Sequence, residues 1–411
     1  MAYYQQRRPQ YRTIPYRQKS PKKRGGRGRL FLAIIVLGVV GFFLFGKDSN
    51  LPLVTSEPKP EKVRIEGRYL FNGTVVWARY MQEWSQKADG TTDYAYPFSG
   101  LNTFDRSKYD AWVADLECPV MEEEISIVRQ GTETAFNCRP EFLPEAAKYF
   151  DIFNLSNNHT RDFNGQAALD ETREHLEKNG FQYFGDFEPG KLSNICEVVA
   201  MPVRVISKVK DKETSEDAKL PVALCSWHYF FRLPSDSEIE QMRQYAKVMP
   251  TFAVVQAGVE YRASADQYQR MIAHDIADLN PSFVLVNSAH WVQNGEVYNN
   301  IPILYSTGNF LFDQQYNTEV TRSASLDTKM SIPYSTDMQK WLDLGTSCKE
   351  FHDDCFDQIV NKDLKKPEMT MTYDLIAGDN SNKLTKRAGA EVQAAVETRV
   401  GWDAMKAALG Q

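Results

Sequence analysis

Residues Asp151–Gly165 read DIFNLSNNHTRDFNG. The apolar run Ile152–Leu155 has the length and composition of a buried strand. It leads into Asn157-Asn158-His159, with Asp162 three residues further on. A helical pattern then spans Gly165 to Asn179, placing Leu169, Thr172 and Leu176 on one face and stopping at Gly180, a favourable C′ residue. A strand, a polar turn and a helix in that order form one α/β unit, and side chains at the C-terminal end of such a strand converge on a cleft. A carboxamide oxygen, an imidazole and a carboxylate there suit metal-assisted hydrolysis. The same residues also suit an Asn-rich turn with satisfied helix caps, and taken alone they do not choose between the two.

Working outward, further short apolar runs at Thr74–Ala78, Val222–Ser226, Phe252–Val255, Phe283–Val286 and Ile303–Tyr305 read as buried strands. A second helical pattern, Ala265 to Leu279, groups Tyr268, Met271, Ile272, Ile276 and Leu279 and ends before Pro281. Alternating strands and helices predict an α/β domain. Lys208 to Lys219 (KVKDKETSEDAK) reads as a charged surface excursion. Two other stretches carry polar residues at strand ends: Asp115-Leu116-Glu117-Cys118-Pro119, and Val284 to Asp313 with His290 and Ser306-Thr307-Gly308-Asn309-Phe310. The chain contains no P-loop, no Gly-x-Ser-x-Gly and no Gly-x-Gly-x-x-Gly.

The 411 residues carry a formal charge of −6 that is divided unevenly. Residues 1–29 hold ten of the 48 Lys/Arg and none of the 54 Asp/Glu, so the tail is +10 and the remainder −16. That balance excludes a nucleic-acid binder overall and predicts a disordered, lipid-facing basic tail. Leu30–Gly46 (LFLAIIVLGVVGFFLFG) is an uncharged apolar run of 17 residues. As a helix it reaches roughly 25 Å, the short end of what a single bilayer span needs. Arg24, Arg27 and Arg29 precede it, so the positive-inside rule places the tail in the cytoplasm and the body outside. Residues 47–63 form a Pro-containing linker, 64–313 the globular domain, and 314–411 a partly helical extension. All six cysteines lie beyond the apolar run. In an oxidising compartment they favour disulfides, with Cys348–Cys355 the best single pairing and no zinc spacing present.

The order and spacing of these motifs resemble the CapA family of capsule-synthesis proteins, whose outer domain is similar to calcineurin-like metallophosphatases. Asn157-Asn158-His159 with Asp162 and Tyr305-Ser306-Thr307-Gly308-Asn309-Phe310 match two family elements in full. Asp115-Leu116-Glu117, Gly258-Val259-Glu260-Tyr261 and His290 keep parts of three others. The resemblance implies a four-layer αββα sandwich of the metallophosphatase type, preceded here by a single N-terminal transmembrane helix. It also implies Glu117, Asn158 and His290 as metal ligands, His159 and Asp162 as the catalytic pair, and Glu260, Tyr261 and Asn309 as substrate-binding residues.

The departures bear on mechanism. Thr74 stands where the family has its first metal-binding Asp, Gln256 where it has a His, and Ser288 where it has the first His of Gly-His-x-His. Losing a single outer partner typically costs about 10–100-fold in metal affinity or activity, and replacing three of the ligands themselves should cost far more. Any divalent metal is therefore expected to be weak or absent. Two functions follow. The first is a membrane-anchored extracytoplasmic protein that binds a cell-surface polymer or its precursor, such as poly-γ-glutamate, together with other membrane components of its synthesis machinery. The second is a metal-dependent phosphoesterase acting on an envelope substrate. A body at −16 repels a polyanion, so the first requires a cation, a basic patch or a neutral polymer.

Overall fold

In the computed structural model the described residues are 60–187, 195–229, 233–348 and 352–411. The apolar run Leu30–Gly46 lies outside them, and among the described residues no helix is long and apolar enough to cross a membrane.

The chain forms a mixed α/β structure organised around one long strand. Strand β1 (Glu61–Val75) alternates charged and apolar residues over its first half, and the burial alternates with them. Its last seven residues are buried throughout. Around it run β2 (Ala111–Leu116), β3 (Ile152–Asn154), β4 (Gln182–Phe184), β5 (Cys196–Val209) and β6 (Lys212–Tyr229). Next come β7 (Thr251–Ala257), β8 (Val284–Asn287), β9 (Gly295–Tyr298), β10 (Ile301–Leu304) and β11 (Asn309–Leu311). The last strands are β12 (Arg322–Pro333), β13 (Thr370–Asp379) and β14 (Lys386–Arg387).

The first half of β1 pairs antiparallel with β5 on one side and β12 on the other. Its second half pairs parallel with β2 and β11. The path β14-β13-β12-β1-β5-β6-β7-β8-β10-β9 therefore sheds a branch, β2-β3-β4, at the middle of β1. Residue parity shows what each face of that branch covers. Ala111, Val113 and Ile152 join a core with β5–β8, including Val222, Phe252, Val284 and Leu285. Their neighbours Trp112, Ala114 and Phe153 join a second core under α1 (Gln166–Lys178), with its Leu169 and Leu176. Helices α2 (Asp236–Val248), α3 (Gln267–Ala277) and α4 (Thr336–Cys348) supply Met242, Ile272 and Trp341 to the first core.

Both helical patterns form, but α3 is rotated from the expected face. Tyr268 and Met271 are 68% and 41% exposed, while Gln269 is buried, its Nε2 donating to the Tyr305 carbonyl at 2.5 Å and to Gln293 Oε1 at 2.8 Å. The charged segment Lys208–Lys219 is at the surface, yet it forms the two arms of the β5–β6 hairpin, turning at Lys210 and Asp211. Residues 314–411 supply β12, β13 and β14 to the same sheet as well as helices. The expected disulfide Cys348–Cys355 is present, with Cys118–Cys138 and Cys196–Cys225 beside it.

Phe71 on β1 sits against Phe252 and Phe283, with ring centroids 5.8 and 4.8 Å away, and so packs β1 against the β7–β8 part of the first core. Phe71→Ala is expected to cost about 3–5 kcal/mol of stability, as large aromatic truncations in closed cores do. Urea unfolding measures this, and a cost under about 1 kcal/mol would contradict the packing described.

Candidate functional site

The C-terminal ends of the parallel strands place a row of polar residues side by side. Thr74 on β1 is in register with Asp115 on β2 and with Asn309 on β11, and Asp115 is in register with Asn154 on β3. On the main sheet Gln256 on β7 is in register with Asn287 on β8. Gly73 makes the approach of β11 feasible: a Cβ there would lie 2.2 Å from the Gly308 carbonyl oxygen, to which the Thr74 N–H donates at 3.1 Å.

Hydrogen bonds tie the two rows together. Asp115 is buried and accepts from Asn154 Nδ2 at 3.2 Å on Oδ1 and from Gln256 Nε2 on Oδ2. Ser226 Oγ, from β6, donates to Asn154 Oδ1 at 2.7 Å. No cation pairs with Asp115 among the described residues, so burial pushes its carboxyl up to about 8 against the opposing pull of hydrogen bonds from Asn157, Gln256 and Asn154. Gln256 Oε1 is buried without a partner among the described residues. Turning that amide end for end would let a protonated Asp115 donate to it.

Asn157-Asn158-His159 divides its work. Asn157 is structural: its Nδ2 donates to the Leu116 carbonyl at 2.7 Å and its Oδ1 accepts the His159 N–H at 3.0 Å. Asn158 Oδ1 is buried and has no partner among the described residues, as is true of Glu117 Oε2. Burial raises the Glu117 carboxyl well above the usual range, and the charges of Asp115, Glu260 and Asp162 add to the effect. His159 Nδ1 lies 2.7 Å from Asp162 Oδ2, which also accepts the Phe136 N–H at 2.7 Å.

His290 anchors the opposite wall. Its Nδ1–H donates to Asn309 Oδ1 at 2.9 Å, which leaves Nε2 as the bare nitrogen, 3.8 Å from Glu260 Oε1. Burial pushes the imidazole down to about 4. Tyr261 stacks on this ring at 5.4 Å, and its hydroxyl accepts from Gln314 Nε2 at 3.0 Å. Gln314 Oε1 in turn accepts from Asn309 Nδ2 at 3.1 Å. Asn309 therefore lies behind His290 and orients it, while Glu260 stands at the rim. Tyr261, Ser288 and His290 have φ of 57°, 112° and 58°, a region that non-glycine residues rarely adopt. Three such residues in one wall mark a strained and over-determined segment of the kind that clusters at ligand sites.

One cleft residue escapes a reading of the sequence. Arg79 forms a two-point ion pair with Asp313, at 3.0 and 2.5 Å, and lies over the Phe136 ring at 4.3 Å. Its charge acts on both Glu117 and His290. The partners are 234 residues apart in sequence, so no local pattern announces them.

Two-metal hydrolysis needs both ions clamped about 3.5–4 Å apart by anionic and imidazole donors. Thr74, Gln256 and Ser288 are neutral oxygen donors, and Asp115 is engaged by two amides. Among the described residues no group of three or more His, Cys, Asp or Glu is placed to hold an ion. The residues present do not fit a dinuclear centre. Buried polar atoms at the strand ends without a partner among the described residues include Glu117 Oε2, Asn158 Oδ1, Gln256 Oε1, Asn287 Nδ2 and Ser288 Oγ.

A mixed α/β protein with a polar, strained cleft at the ends of its parallel strands is the class defined by this geometry. Within that class the chain belongs to the family described as bacterial capsule synthesis protein PGA_cap, whose model matches residues 68–314. It is 26% identical over 320 residues to the PGA biosynthesis protein CapA of Bacillus subtilis (strain 168), covering 75% of this chain and 78% of that protein. Among solved structures, the calcineurin-like phosphoesterase YfkN from Bacillus subtilis aligns with a TM-score of 0.36 at 9% identity, over 84% of this chain and 99% of that one. A hypothetical protein from Thermus thermophilus gives 0.34 at 12%, over 75% and 98%. Structural likeness at that level carries none of the argument.

The two shifted groups act oppositely on stability. Unfolded, Asp115 ionises near about 4. Folded, it keeps its proton to about 8, so its contribution is full at low pH and is lost as pH rises through 8. His290 is neutral in the fold above about 4 and would take up a proton near about 6.5 when unfolded, so stability rises with pH between those values. The two offset below about 6.5, and Glu117 shares the sign of Asp115. Urea stability is therefore expected to fall between about pH 6.5 and 8, and Asp115→Asn should flatten that slope. Stability rising with pH across this window in the wild type would contradict the assignment.

Proposed function

We propose that the protein is a membrane-anchored, extracytoplasmic capsule-synthesis protein that binds a cell-surface polymer or its precursor in this cleft and does not hydrolyse it. On this reading Leu30–Gly46 is the anchor, the basic tail is cytoplasmic, and the two cores belong to a four-layer αββα sandwich. Other membrane components of the synthesis machinery would be its partners. Membership of the capsule synthesis family and the relative named for PGA biosynthesis support the capsule assignment. The observation that carries binding over catalysis is the Asp115–Gln256 hydrogen bond, which puts a neutral amide and a buried carboxyl where hydrolysis would need a bridged metal pair. Retained backbone strain at Tyr261, Ser288 and His290 supports a cleft still used for a ligand.

A metal-dependent phosphoesterase is the second reading, favoured by the intact His159–Asp162 pair. Assays of the full chain on a generic phosphodiester and phosphomonoester with divalent ions separate the two. The binding reading expects no metal-dependent turnover, whereas Thr74→Asp, Gln256→His and Ser288→His together should create metal affinity. Turnover by the wild type that His159→Ala abolishes would refute it.

A further inference from the structure

Hydrogen-bond donors are scarce on the His290 wall of the cleft. His290 Nδ1–H is committed to Asn309 Oδ1 at 2.9 Å, because Asn309 Nδ2 is turned to Gln314 Oε1 at 3.1 Å. Nε2 therefore presents a lone pair, and what it faces is Glu260 Oε1 at 3.8 Å. Two acceptors are held opposite one another with no proton of the chain between them. Their opposition is built into the backbone. The Tyr261 N–H donates to the Ala289 carbonyl at 2.8 Å, which pins the Glu260–Tyr261 turn to the segment carrying His290. Tyr261 and His290 both sit in the left-handed region, at φ of 57° and 58°.

The cations nearby are engaged elsewhere. Arg79 is held by both oxygens of Asp313, and Arg322 and Arg399 share Glu319 at 3.5 and 3.1 Å. Arg262 is exposed and forms no ion pair with Glu260 or Glu117 among the described residues. Glu117 lies within range of the Glu260 charge, and its buried Oε2 has no partner among the described residues. The unpartnered amides and hydroxyl of Asn158, Gln256, Asn287 and Ser288 can turn to donate or to accept. The Glu260 carboxylate and the fixed imidazole nitrogen cannot. Aromatic rings flank the corner: Tyr261 stacks on His290 at 5.4 Å, Tyr316 meets Tyr261 edge to face at 6.0 Å, and Tyr316 is 61% exposed. An exposed ring beside an unpaired carboxylate favours a cation.

We propose that the corner between Glu260 and His290 binds a primary ammonium group of the ligand, resting on the reading that the cleft binds a polymer or its precursor. Such a group carries three donors and no acceptor. One N–H reaches His290 Nε2 and another Glu260, supplying the hydrogen that neither side chain can supply, and the Tyr316 ring covers the stem. A carboxylate or phosphate would add further acceptors beside Glu260 and is repelled. A quaternary ammonium has no N–H to give. A calcium ion prefers about six to eight oxygen ligands, and the group facing Glu260 is a nitrogen. The acidic body, at −16, attracts a cationic ligand where it would repel a polyanion. An amino sugar and the free amino terminus of a peptide both carry this group.

The test is a calorimetric titration of the full chain in a neutral detergent and mildly acidic buffer. The probes are trialanine amide and a glucosamine trimer, each beside its N-acetylated counterpart. At least one amine should bind about tenfold tighter than its acetylated form, the effect of one charge-assisted hydrogen bond, and which amine does so identifies the source. Glu260→Gln should weaken that amine about tenfold and Tyr316→Ala about threefold. Asp337→Asn, which removes an equal charge from the exposed face of α4, should leave it unchanged. Amines that bind no tighter than their acetylated forms, or that Glu260→Gln leaves unaffected, would overturn the ammonium assignment and leave the binding function standing. Calcium that displaces the amine would also overturn it, by giving the corner to a metal ion. Metal-dependent turnover that His159→Ala abolishes would instead refute the binding function on which the assignment rests.

Discussion

The hydrogen bond between Asp115 and Gln256 joins residues 141 positions apart and closes the gap between the strand ends of the β2-β3-β4 branch and those of the main sheet. An anionic Asp115 at that depth would be costly without a cation, because burying an isolated carboxylate is opposed by several kcal/mol. The surroundings answer with amides from Gln256 and Asn154 and with a proton retained well above the ordinary range. Once that arrangement is in place, the neighbouring donors Thr74, Ser288 and Asn287 need not be charged. Around Asp115 the site is a polar pocket held by neutral amide hydrogen bonds.

Strands buried on both faces are legible in the sequence because nearly every residue in them is apolar. Val222–Ser226, Phe252–Val255 and Phe283–Val286 fall within or against β6, β7 and β8. The hub strand is legible only at its end, where Thr74 and Val75 fall within the expected run Thr74–Ala78. Glu61–Arg68 has one face open to solvent and so alternates charge with Val63, Ile65 and Gly67. The same property hides β12, where Lys329 and Ser331 interrupt the buried residues, and makes residues 314–411 look like an appendage. In the site, Asn157, His159, Asp162 and His290 can be found because each sits beside a strand end in its own motif. Arg79 and the partner of Asp115 cannot, since their roles exist only across the fold.

The wall around His290 is held by a continuous set of polar contacts. Asn309, Gln314 and Tyr261 form a hydrogen-bonded chain that returns to the imidazole by stacking, and the backbone tolerates left-handed conformations to hold it. Such strain costs about 1–3 kcal/mol per residue.

The central claim concerns what the strand ends can hold, and elemental analysis of the full-length protein, purified without chelators, addresses it directly. Well under one tightly bound transition-metal ion per chain is the predicted content. Two per chain would mean that Thr74, Gln256 and Ser288 do not disable the site and that the neutral network around Asp115 is not its working state.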